Sequence, residues 1–104
     1  MDNPTITKER RVINKFMVFG DRVHEIHTVV VHTFRMGDVE DPDLYAAQPL
    51  SDWQDSEAGK FVMAHAVETP YWIRQIDYNS YGHRYVIVAR MRESDQTFFR
   101  LKFK

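Results

Sequence analysis

The sequence predicts an α+β fold: an antiparallel sheet of about five strands, in the order β-β-α-β-β-β, with one main helix packed on one face. Three observations predict it. Segments rich in β-branched and aromatic residues are separated by turns rich in Gly, Asn, Ser and Asp. A single longer segment carries a helical apolar stripe behind a capping sequence. The chain has 104 residues, room for one compact domain and not for two.

The first residues, Met1 to Lys8, hold Asn3, Pro4 and two threonines without an apolar period, and read as a loose arm before a domain over residues 9–104. After Arg11, the run Val12 to Phe19 reads as a strand stopped by Gly20-Asp21. The next strand, Val23 to Met36, is β-branched on both faces in its middle, as in a central strand covered on both sides. The short Gly20-Asp21-Arg22 link makes a hairpin of the two.

Asp41-Pro42 reads as a helix start, an N-capping carboxylate followed by proline at the first helical position. Pro49 limits that helix to a turn or two. Ser51 and Gln54 offer a capping box for a longer helix, about Asp52 to Val67, ending before Thr69-Pro70. Its stripe is Ala58, Phe61, Val62 and Ala66, with His65 inside the arc as a satisfied core histidine. Tyr71 to Tyr78, His83 to Arg92 and Thr97 to Phe103 read as three further strands.

Side chains two apart on a strand share a face. His83, Tyr85, Ile87, Ala89 and Met91 form an apolar face for the helix. Arg84, Arg90 and Arg92, with Phe98, Arg100 and Lys102 of the last strand, form a cationic and aromatic face. Such a face is what single-stranded nucleic-acid binders use. It also suits an ordinary solvated sheet blunted by charge.

Composition narrows the function classes. Hydrophobic residues make up 43% and charged residues 28%, which suits a packed core rather than disorder. No apolar run approaches the ~20 residues of a membrane helix, and no signal-peptide pattern follows Met1. The absence of cysteine excludes disulfides and thiol chemistry and suits the cytoplasm. The net charge of −1 conceals +2 over residues 1–35, −7 over 36–69 and +4 over 70–104, a polarity suited to orienting a partner.

Signatures of nucleophilic, nucleotide-binding and zinc-protease chemistry are missing, and no cofactor or small-molecule substrate is indicated. The acidic segment Asp38, Glu40, Asp41, Asp43 lacks the pattern of a calcium loop. His24 and His32 are about 26 Å apart along one strand at ~3.3 Å per residue, too far to share a metal. Glu25 and His27 share a face, opposite to His24 and His32, and would hold a metal only with help from His65 or His83.

Seven Phe, five Tyr and two Trp exceed what one helix can cover. Tyr45, Trp53, Met63, Val67 and Trp72 are the expected anchors of a protein interface, and Asp38, Glu40, Asp41 and Asp43 its acidic steering group.

Two blocks carry a resemblance. One is Asp38-Val39-Glu40-Asp41-Pro42-Asp43-Leu44-Tyr45-Ala46-Ala47, with Trp53-Gln54 and Ser56-Glu57-Ala58-Gly59-Lys60-Phe61-Val62-Met63. The other is Tyr81-Gly82-His83-Arg84-Tyr85 with Thr97-Phe98-Phe99-Arg100-Leu101-Lys102-Phe103. Together, over roughly residues 30–104, they resemble small uncharacterised proteins of large tailed bacteriophages. The resemblance implies an accessory product in a host cytoplasm or a minor virion component, and assigns no catalytic residue. The expected function is a non-enzymatic interaction module that self-associates or docks on a larger protein. The alternative is a single-stranded nucleic-acid binder.

Overall fold

The computed structural model describes residues 7–8, 16–37, 39–78 and 82–103. Four strands carry an antiparallel sheet: β2 (Phe16–Phe19), β3 (Arg22–Met36), β4 (Tyr71–Asp77) and β5 (Gly82–Arg92). A two-residue strand, β1 (Thr7–Lys8), lies parallel to the start of β4, with Thr7 opposite Tyr71. The spatial order is β1-β4-β5-β3-β2. Thr7 and Lys8, the last two residues of the expected arm, are therefore paired. Residues 1–6 of the expected arm, residues 12–15 of the first expected strand, Asp38 and the turn at 79–81 lie outside the described residues.

Three helices stand where one short and one main helix are expected: α1 (Pro42–Asp55), α2 (Glu57–His65) and α3 (Glu93–Phe103). The fold is α+β, but the β-β-α-β-β-β order fails at its end, because Thr97 to Phe103 is helical. In seven residues, alternation and a helical period both fit TFFRLKF. Charge decides between them. Glu93 and Asp95 occupy the first turn and Arg100 and Lys102 the last, each favourable to the helix dipole. Helical spacing buries Phe99 and half-buries Phe103 one turn on, and leaves Leu101, which a strand would have turned to the same side, 81% exposed.

The central helix also divides differently. Pro49 lies inside α1, whose buried Ala46 and Trp53 fall seven residues apart on one side. Their packing outweighs the backbone hydrogen bond that proline forfeits. Asp41 precedes α1 in the left-handed region, φ 53°, and makes no side-chain cap. Its carbonyl instead accepts from the Leu44 N–H at 3.0 Å. The effective cap is Ser56, not Ser51. The Ser56 hydroxyl accepts from the Gly59 N–H at 3.1 Å and donates to the Trp53 carbonyl, ending α1 and starting α2 at one residue.

Between the helices and the sheet, Val29, Val31, Trp53, Val62, Ile87, Ala89, Met91 and Phe99 form the core. The apolar face of β5 is the expected one. The other face differs from expectation: Val86, Val88 and Arg90 are also buried, at 6%, 4% and 5% exposure. A register shift between Val30 and His32 places His32 opposite Ile87. His32 thus turns to the core side and stacks on Trp53, centroids 5.9 Å apart. The bulge reverses the facing that uninterrupted alternation predicts.

Candidate functional site

The expected interface anchors do not form one surface. Tyr45 is exposed on α1, beside Leu44 at 71% exposure. Trp53 is buried at 7% and belongs to the core, which corrects its expected role as a surface anchor. Met63, Val67 and Trp72 are half-buried; Trp72 packs on the core and tilts against Tyr85 at 5.4 Å. Much of the aromatic surplus is consumed by a cluster between α2 and α3, where Phe61 stacks with Phe98 at 5.0 Å and contacts Phe103 at 5.7 Å.

Exposed apolar surface gathers instead on the β2–β3 hairpin. Phe16, Val18 and Val23 are 61%, 67% and 68% exposed. Val18 stands opposite Val23, and Phe16 opposite Glu25, so all four side chains share one side of the hairpin. Alternation along β3 places that side on the same face as Val29. Among the described residues β2 is the outermost strand, so its far edge presents backbone groups as well. Sequence marks this segment as a strand; its place at the sheet edge depends on the strand order, which short-range patterns do not carry.

The acidic group is divided. Glu40 and Asp41 are exposed, whereas Asp43 is structural. Its Oδ1 accepts from the Tyr85 hydroxyl at 2.6 Å and from Arg74 Nη1 at 2.9 Å. Burial, with the hydrogen bond and the charge of Asp43, pushes the Tyr85 phenol up to about 12.

The cationic set is split as well. Arg84, Arg90 and Arg92 lie on β5, on the face away from the core. Arg90 is buried and its Nη1 lies 3.4 Å from Glu68; Arg92 Nε donates to Asp95 at 3.1 Å. Phe98, Arg100 and Lys102 are on α3, which packs on the core side. Lys102 Nζ sits 5.8 Å from the Phe98 ring centre and 5.5 Å from that of Phe103. These six residues do not make a single face.

Of the histidines, His65 is held by its own helix: Nδ1 lies 2.8 Å from the Phe61 carbonyl and the ring stacks on Phe61 at 4.1 Å. His83 pairs with Met36 and Ile76, at the opposite end of β5 from Arg92. Neither joins Glu25 and His27. The residue that does is Glu93, and the ligand atoms of Glu25, His27 and Glu93 all lie within 4.8 Å of one another. Beside them an open cleft of about 590 Å³ is lined by Val23, His24, Glu25, Glu93, Ser94 and Thr97.

No family model matches the chain, and neither a curated protein nor a solved structure matches it. No helix of the described residues is long and apolar enough to cross a membrane.

Proposed function

We propose that the chain is a non-enzymatic protein–protein interaction module that associates with a second copy of itself through the β2–β3 hairpin. The observation that carries this reading is the exposure of Phe16, Val18 and Val23, each above 60%, on one side of an edge hairpin. A strand of sequence Phe-Met-Val-Phe has no charge or proline to discourage pairing at its edge. Two copies related by a two-fold axis would pair β2 with β2 and bury six apolar side chains. At roughly 1.5–3 kcal/mol per fully buried side chain, and with a third of each already covered, that is roughly 6–12 kcal/mol. Association itself costs roughly 4–15 kcal/mol, so the dimer is concentration-dependent rather than permanent.

Light scattering after size exclusion tests it. The native chain is expected to show a dimer that Val18→Lys converts to monomer with an unchanged circular dichroism spectrum. A dimer that persists in Val18→Lys would place the interface elsewhere.

A further inference from the structure

We propose that Glu25, His27 and Glu93 form a binding site for one divalent first-row transition-metal ion, of which zinc is the best fit. Strand register brings the three together. Arg92 lies opposite Ile26 and Met91 opposite His27, so the next residue of the chain, Glu93, arrives beside Glu25. Two carboxylates brought side by side repel unless a cation lies between them.

A second observation points to a ligand. His27 Nε2 is shielded from solvent and has no hydrogen-bond partner, although Glu25 Oε2 is 3.8 Å away. Buried ring nitrogens are ordinarily satisfied, and an unsatisfied one beside a carboxylate is a vacant donor. Ligands held ~2.0–2.2 Å from a tetrahedral ion stand roughly 3.4 Å apart. The His27–Glu25 separation is close to that value. Glu25, half exposed at 54%, is free enough to rotate and close the remainder.

The donor set selects the ion. One imidazole and two carboxylates suit zinc and its neighbours, whereas magnesium and calcium prefer oxygen alone and more of it. Three protein donors leave a fourth position for water on the side of the cleft, as in open zinc sites. The positive end of α3 opposes a cation, but its fractional charge is smaller than that of the two carboxylates. The ion would tie β3 to the β5–α3 corner.

The test is calorimetric titration of the chelator-treated full chain with zinc, repeated with cobalt to read its visible absorption and with magnesium as the hard-ion control. The expected result is one zinc per chain, tetrahedral cobalt bands and no saturable magnesium binding. His27→Ala and Glu93→Gln should each weaken zinc binding by at least about tenfold, since even the loss of an outer-shell partner commonly costs ~10–100-fold. His83→Ala should leave it unchanged. Glu93→Gln, isosteric and on an exposed helix start, keeps the test decisive if His27→Ala fails to fold. Absence of saturable zinc binding, or binding unaltered by Glu93→Gln, would overturn the proposal.

Discussion

The Tyr85 hydroxyl donates to Asp43 across 2.6 Å, joining the first turn of α1 to the middle of the sheet between residues 42 apart in sequence. The same carboxylate oxygen accepts from Arg74 on β4, the strand beside Tyr85. One carboxylate thereby fixes where the helical layer begins. Tyr85 itself is fully buried and stacks on Phe34 at 5.1 Å.

This bond predicts an alkaline transition. The Tyr85 pKa in the folded chain, about 12, lies above the ordinary 10.0. A group whose folded pKa is raised contributes stability that is complete below the unfolded pKa and is lost as pH rises through the folded one. Two units correspond to about 3 kcal/mol. Urea unfolding should therefore be insensitive to this group up to pH 10 and weaken between pH 10 and 12. Tyr85→Phe should remove that step and cost about 1–2 kcal/mol at pH 7.

Gly59 is the second test of the helical layer. A methyl group there would stand 1.9 Å from the Trp53 carbonyl oxygen and 2.9 Å from the Gln54 Cα, both backbone. Alanine normally favours a helix over glycine by roughly 0.5–1 kcal/mol. Here the sign reverses, because neither obstacle is a side chain that can swing away. Gly59→Ala should destabilise by about 3 kcal/mol or more in urea melts.

His32 and Trp53 give an acid-side prediction. Burial lowers the His32 pKa from 6.5. As pH falls below that value the unfolded chain takes up the proton before the folded one, so folding stability declines. His32 ring signals should titrate below pH 6.5, and Trp53 fluorescence should follow the same curve through the 5.9 Å stack.

Trp53→Ala is, by the same geometry, a folding lesion. At 7% exposure within the core its loss should cost about 3–5 kcal/mol. Loss of association in that variant would report unfolding, so charge substitutions on the hairpin are the useful probes.

Much of this architecture was legible in the sequence, and its failures are instructive. The strands around Val23 to Met36, Tyr71 to Asp77 and His83 to Arg92 follow from β-branched runs between turns, and the buried face of β5 follows from alternation. Thr97 to Phe103 misleads because seven residues with Phe at 99 and 103 fit either period, leaving terminal charge to decide. Pro49 misleads because local propensity yields to the burial of Ala46 and Trp53. The Glu25–His27 pair was visible as a shared face. Its third member was not, because Glu93 arrives through the pairing of β3 with β5, 68 residues away.

Sedimentation equilibrium of the native chain over a hundredfold range of concentration tests self-association through the β2–β3 hairpin. The expected result is a reversible monomer–dimer equilibrium that Val18→Lys shifts to monomer while the fold stays intact. A native chain that remains monomeric across the whole range would contradict it.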